Sequence, residues 1–322
     1  MKAILITKYG QPADVLQLQE VEKPVPAVND VLVQVRAASV NTLDLQMKGG
    51  AARLWQGLRR PRDPRLGRDI AGRVEAVGKE VTQFKPGDEV FGVCLGGYAE
   101  YAVARENGLA MKPANCSFEE AASVPVAALT ALQGLRDKGQ IQAGQKVVIN
   151  GATGGVGTFA VQIAKSFGAE VTAVCSTKNL EMVRSMGADH VIDYTQEDFT
   201  RNGQKYDLIF AVNGYHPISD YRRALGPRGI YLAAGGSMPQ IFQSLLLGPM
   251  FSKTGGQRMG FMGIAQINQK DLVVVKELME AGKVAPVIDR RYPLSQTGEA
   301  LQYLAEGHAR GKVVITVVEN QP

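Results

Sequence analysis

Cysteine is scarce in this 322-residue chain: Cys94, Cys116 and Cys175 lie far apart, in no C-x-x-C or mixed Cys/His spacing. A disulfide scaffold and a cysteine-rich zinc lobe are thereby excluded, and the compartment reads as reducing. Histidine is equally rare, and His190, His216 and His308 make no ligand spacing, so no metal is expected. The longest apolar stretches are strand-length or broken by glycine and proline, short of the roughly 20 residues a membrane span requires. No targeting segment is visible before the strand-like AILIT near Met1, which makes the cytoplasm the expected location. Repeats and low-complexity segments are also missing. The net charge of +5 is far from a polybasic tail, and nucleic acid is not an expected partner. The charge is uneven only where Arg53, Arg59, Arg60, Arg62, Arg65 and Arg68 crowd one stretch with Pro61 and Pro64. That stretch reads as a solvated basic loop, with a funnel for a phosphorylated cofactor, an acidic substrate or RNA as the alternative.

What the chain does contain centres on Lys146 to Lys178. Lys146 to Ile149 is a β-branched run suited to a buried parallel strand, Gly151 to Gly157 a turn of small residues, and Val156, Ala160, Val161, Ile163 and Ala164 the apolar face of a helix. Glu170 to Cys175 returns as a second strand. In the G-x-G-x-x-G register the three positions hold Ala152, Gly154 and Gly157, so the first glycine is replaced. Gly154 lets backbone amides approach a pyrophosphate, Gly157 lets the helix pack on its strand, and the positive helix N-terminus faces the phosphates. A glycine-rich connector is the bland alternative. After the second strand, NAD binding would call for a carboxylate, yet Ser176, Thr177 and Lys178 stand there, with no acid until Glu181. Hydroxyls and an ammonium suit a 2′-phosphate, which favours NADP (NADPH); an ordinary solvated lysine at 178 is the alternative.

With 45% hydrophobic and 21% charged residues, the chain can build two domains with their own cores. Up to about Met111 short alternating strands separated by turn residues suggest an antiparallel barrel, with KPGDEVFG (Lys85 to Gly92) as a tight turn feeding a strand. Ser117 and Glu120 form a capping box for a helix that Pro125 should kink or divide. Strands and helices then alternate, as in a parallel sheet covered on both faces. Gly248 to Gly263, rich in Gly, Met and Phe, reads as irregular.

The β-rich start, KPGDEVFG, VPVAALTA (Val124 to Ala131), NGATGGVG (Asn150 to Gly157) and GHARGK (Gly307 to Lys312), in this order, resemble the zinc-independent quinone oxidoreductase branch of the medium-chain dehydrogenase/reductase superfamily. The resemblance implies an α/β chain: a Rossmann-type, doubly wound parallel-sheet domain (123–270) inserted into a GroES-like β-barrel catalytic domain (1–122 and 271–322), with a cofactor cleft where they meet. Zinc-dependent relatives carry a catalytic cysteine and a His-Glu pair at stretches that here read SVNTLDL (Ser39 to Leu45) and LGRD (Leu66 to Asp69). Without such ligands, hydride must go to an acceptor that is already electrophilic, a quinone or the β-carbon of an enone or enal. The resemblance gives Asn41 the part of an orienting or polarising amide, with a turn-capping residue as the alternative. Asp44 then holds Asn41 or a backbone amide, and water is left as the acid. It also implies that the cofactor meets Thr130, Thr153, Gly154, Gly155, Val156 and Gly157, then Ser176, Lys178, Tyr194 and Asn213, and finally His308 and Arg310. Simple packing is the alternative for Tyr194, and a surface charge for Arg310. A homodimer joined through a sheet edge of the Rossmann half is implied as well. An enoyl-thioester reductase is one rival, though it should carry a tyrosine acid that SVNTLDL lacks. An NADPH-binding structural, assembly or RNA-binding protein is the other.

Overall fold

The computed structural model describes residues 1–46, 61, 63–252 and 256–317. The chain divides into two compact units, the first drawn from Met1–Ala127, Ile267–Glu280 and Pro286 onward, the second from Ala128–Gln266 and Ala281–Ala285. In chain order the described strands begin with β1 (Lys2–Ile6), β2 (Leu16–Glu20), β3 (Asp30–Ser39), β4 (Asp69–Val77), β5 (Glu89–Val93), β6 (Tyr101–Arg105) and β7 (Leu109–Met111). Next come β8 (Lys146–Asn150), β9 (Glu170–Cys175), β10 (His190–Asp193), β11 (Tyr206–Ala211), β12 (Leu225–Ala233) and β13 (Arg258–Phe261). The last are β14 (Ile288–Pro293) and β15 (Lys312–Thr316).

In the first unit the order is β14-β15-β3-β4-β5-β7, with β6 also on β3 and β1 paired to β2. β3 is the hub, antiparallel to β4, β6 and β15. Its pattern explains why: Val31, Val33 and Val35 are fully buried and Leu32 is buried with them, while Gln34 and Arg36 on either side of Val35 stay partly exposed, a period of two that suits one covered face. They pack on Ile4, Val15, Ile70, Val90, Leu109, Leu301 and Ile315. Register then fixes the site, because Ser39 at the end of β3 pairs with Asp69 at the start of β4 and with Val314, two residues into β15. Three strand termini therefore meet at one point.

The second unit holds a six-stranded sheet in the order β10-β9-β8-β11-β12-β13, every pair parallel. Its central strands are buried on both faces, as the unbroken runs Val147 to Ile149 and Leu208 to Ala211 require. The chain winds outward from β8 through β9 and β10, then returns to β11, which makes β8/β11 the switch point at which such sheets open a crevice.

Pro125 divides the predicted helix into Phe118–Ala122 and Pro125–Gln133, and the capping box of Ser117 and Glu120 is formed in full. The segment read as irregular is more ordered than expected: a helix covers Gly248–Ser252, and Arg258–Phe261 is the sixth strand of the parallel sheet. Four residues with one glycine are too short for a periodicity to show. Among the described residues no helix is long and apolar enough to cross a membrane.

Candidate functional sites

In the second unit the phosphate turn has the geometry its residues require. Gly151 takes φ +86°, and Gly154 caps the helix Gly155–Ser166 with extended backbone, leaving the first-turn amides without intrahelical partners. The two later glycines differ in kind. A Cβ on Gly157 would lie 2.0 Å from the Gly151 carbonyl oxygen, so the fold itself demands glycine there. A Cβ on Gly154 would meet nothing closer than 3.8 Å, so the open space in front of it suits a ligand. That space, with the helix amides, fits a dinucleotide pyrophosphate. Thr153, Gly155 and Val156 complete the turn, and Asn213 stands directly against Gly151, its backbone N–H donating to the Asn150 carbonyl at 3.2 Å. Thr130 lies on the helix Pro125–Gln133, half-buried.

At the far end of β9, Ser176 accepts from Asn179 Nδ2 at 3.2 Å and keeps its own hydroxyl proton for another acceptor, while Lys178 is exposed. Thr177 is different. Its Oγ1 donates to Asp193 Oδ2 at 2.5 Å, and this bond holds the Asp193 carboxyl below the usual carboxylate range. An acid does stand here, contributed by β10, where Asp193 pairs with Cys175. It lies 16 residues beyond Thr177 in the chain and reaches this end of β9 only through the β9–β10 pairing. Both Asp193 oxygens are taken, Oδ2 by Thr177 and Oδ1 by the backbone and hydroxyl of Thr195. Tyr194 is 62% exposed, which removes packing as its role and leaves its ring open to a ligand. Burial pushes the Cys175 thiol up to about 11, in keeping with an inert small side chain.

The first unit contains a second constellation at the meeting strand ends. Asn41 is buried, and among the described residues its side chain caps no turn: Nδ2 donates to Asp69 Oδ2 at 2.9 Å and Oδ1 accepts from Lys312 Nζ at 2.7 Å. Lys312 is 3% exposed and donates also to the Val40 carbonyl (3.2 Å) and Asp69 Oδ2 (3.4 Å). Asp69, fully buried, further accepts from Ser39 Oγ at 2.9 Å and from the Val126 amide at 3.0 Å. Asp44 holds the backbone N–H of Asn41 at 2.8 Å and accepts from the Tyr98 hydroxyl at 2.7 Å. Sequence reasoning found Asn41 and Asp44 but missed Asp69, Tyr98 and Lys312. Lys312 closes the GHARGK motif, and a lysine opening an apolar strand was the available signal.

His308 and Arg310 belong to this first unit, both exposed, and the Arg310 backbone N–H donates to Asp289 at 2.9 Å. Gly311 (φ +94°) would drive a Cβ to 2.2 Å from the Val287 carbonyl oxygen, so its glycine serves the fold. Arg53, Arg59, Arg60 and Arg62 lie outside the described residues; Arg65 is engaged by Asp63 through two bonds of 2.9 and 2.8 Å.

Burial raises the Asp44 carboxyl to about 6, against the lowering effect of its Tyr98 and Asn41 hydrogen bonds. The folded state therefore holds this proton more tightly than the unfolded chain, whose carboxyl titrates near 3.8. Its contribution to stability is fully present below about 3.8 and is lost as pH rises through about 6, a change of about 3 kcal/mol. Asp44→Asn keeps one acceptor oxygen for both donors and cannot ionise. Measured by denaturant unfolding, the stability of this variant relative to the parent should rise by about 2 kcal/mol between pH 4 and 6.5, the part of that change which falls in this window. A difference independent of pH would mean that Asp44 is not held in this environment.

Known proteins share this architecture. Residues 27–114 match the family described as alcohol dehydrogenase GroES-like domain, and residues 186–315 the family described as zinc-binding dehydrogenase. A chloroplastic quinone-oxidoreductase homologue of Spinacia oleracea is 36% identical, over 98% of both chains. A 2-methylene-furan-3-one reductase of Solanum lycopersicum is 34% identical over 98% of this chain and 79% of its own. The solved quinone oxidoreductase of Coxiella burnetii superposes with a TM-score of 0.85 at 30% identity, covering 99% of each chain.

Proposed function

Because the chain belongs to the quinone oxidoreductase branch of the medium-chain dehydrogenase/reductase superfamily, and is an oxidoreductase of that superfamily, we propose that it reduces quinones or α,β-unsaturated carbonyls with NADPH, without a metal. The observation that carries this proposal is the make-up of the SVNTLDL and LGRD stretches. Zinc-dependent relatives hold their metal there, whereas here Asn41 and Asp69 close around the buried Lys312 ammonium. A buried ammonium repels a divalent cation and already occupies the Asn41 and Asp69 oxygens that could ligate one, so the donor set does not fit the zinc that one matching family is named for.

NADPH supplies the hydride when bound. The chain's own residues hold its pyrophosphate on the turn of Thr153 to Gly157 and its 2′-phosphate on Ser176 and Lys178. Tyr194, Asn213, Thr130, His308 and Arg310 are assigned further contacts. The acceptor carbonyl lies against Asn41, whose amide keeps one N–H beyond the one given to Asp69; donated to the carbonyl oxygen, it stabilises the charge that grows there. The name of the Solanum relative supports an enone as acceptor, and that of the Spinacia relative a quinone. Tyr98 does not revive the thioester rival, since its hydroxyl is buried and spent on Asp44. A homodimer is assigned through β13, an edge strand beside a helix, Met238–Leu246, that exposes Met238, Phe242, Leu245 and Leu246. The cytoplasmic assignment stands beside a chloroplastic relative, and cell fractionation decides it.

The test is a panel of NADPH oxidation rates with quinones, 2-alkenals, vinyl ketones and enoyl-CoA esters. Turnover with the first three supports the assignment. Turnover confined to the CoA esters moves the chain to the thioester rival, and none at all to a binding protein. For the cofactor, Lys178→Ala should weaken NADPH binding about tenfold and leave NADH nearly unchanged, an ion-pair loss of roughly 1 to 2 kcal/mol at an exposed site. Equal losses for both cofactors would place the 2′-phosphate elsewhere.

A further inference from the structure

We propose that Lys312 is a positioning residue for the reduction, acting through Asn41: its buried ammonium locks the amide in the one orientation that points a free N–H away from Asp69. The chemistry of the three groups fixes that orientation. An ammonium only donates, so the Asn41 atom 2.7 Å from Lys312 Nζ is oxygen. A carboxylate only accepts, so the Asn41 atom 2.9 Å from Asp69 Oδ2 is nitrogen. Flipping the amide would set an N–H against an ammonium and an oxygen against a carboxylate among buried side chains, where solvent screens both clashes weakly. Among the described residues, the second N–H of the Asn41 amide has no acceptor.

Lys312 itself has nothing to offer a substrate. Its three N–H bonds have three acceptors, Asn41 Oδ1, the Val40 carbonyl and Asp69 Oδ2. It is 3% exposed, which leaves it an indirect part, polarising the Asn41 carbonyl so that the remaining N–H is a stronger donor. Asp69 is held in turn by Ser39 and by the Val126 amide, so both anchors of Asn41 sit on strand ends that the β3, β4 and β15 registers fix. The proposal rests on Asn41 being the donor to the acceptor carbonyl.

Two readouts test it, one of them independent of turnover. In protein labelled with ¹⁵N-asparagine, the Asn41 side-chain amide should give two widely separated proton shifts, and in Lys312→Met these should collapse toward those of a solvated amide. In turnover, Lys312→Met should lower kcat with an enone about tenfold or more, with unchanged NADPH affinity, and Lys312→Gln, which keeps N–H donors, should lose less. Added to Asn41→Ala, Lys312→Met should cost nothing further. If the two losses multiply, or if Lys312→Met keeps the parent rate and amide shifts, the proposal is overturned. Failure of both Lys312 variants to fold would make the residue structural and overturn it too. Should Asn41→Ala alone turn over enones at the parent rate, the assignment of Asn41 fails, and the amide shifts still report whether Lys312 orients it.

Discussion

Gly154→Val should fold normally and bind NADPH at least about a thousandfold more weakly, a loss of roughly 4 kcal/mol. The expectation follows from what each glycine of the turn faces. At Gly154 the backbone is extended and a new Cβ meets nothing closer than the Gly151 carbonyl oxygen at 3.8 Å, so the β-carbon of the valine fits without a clash. Its branches instead fill the approach to the helix amides, where the pyrophosphate must lie. Gly157→Ala is the reverse case. Its Cβ would sit 2.0 Å from the Gly151 carbonyl oxygen and 2.8 Å from the Ala152 carbonyl carbon, and backbone cannot yield as a flexible side chain does. A loss of about 3 kcal/mol or more in stability is expected before binding is even considered. Calorimetric titration and thermal melts separate the two. A Gly154→Val protein with parental melting and parental affinity would mean that the turn does not hold the phosphates.

Asn41→Ala should lower kcat for enones on the order of a hundredfold while leaving NADPH affinity unchanged, the usual cost of removing a principal oxyanion donor. Asn41→Asp should be worse. The carboxylate cannot donate, it repels the charge growing on the acceptor oxygen, and it faces Asp69 Oδ2 at the 2.9 Å now spanned by an N–H. Quinones, which need less polarisation, should lose less than enones in both variants. Steady-state rates with one enone and one quinone decide this, and parental enone turnover by both variants would leave Asn41 a purely structural residue.

The parallel sheet was legible because its central strands are unbroken apolar runs and its turn is written in glycines. β9 begins and ends where the sequence placed the second strand, at Glu170 and Cys175. The barrel strands showed through their alternation, and Pro125 divided its helix for the reason its ring dictates. What stayed hidden depends on pairing between distant segments. Lys312 and Asn41 are 271 residues apart, and only the antiparallel register of β15 on β3 brings them together. Asp193 is reached from Thr177 across a strand pair, so a linear scan for an acid passes it by. β13 is too short to carry a period, and what makes it a strand is the exposed edge of β12. Asn41 was found by resemblance, but whether its amide was free or engaged could be learned only from its partners.

The most direct measurement follows deuterium from NADPH carrying the label at C4, in both stereochemical forms, into an α,β-unsaturated ketone with a strong chelator present throughout. Metal-free hydride transfer predicts that one of the two labelled cofactors delivers a single deuterium to the β-carbon of the product, at a rate the chelator does not change. Product unlabelled with both cofactors, or turnover that the chelator abolishes and zinc restores, would contradict it.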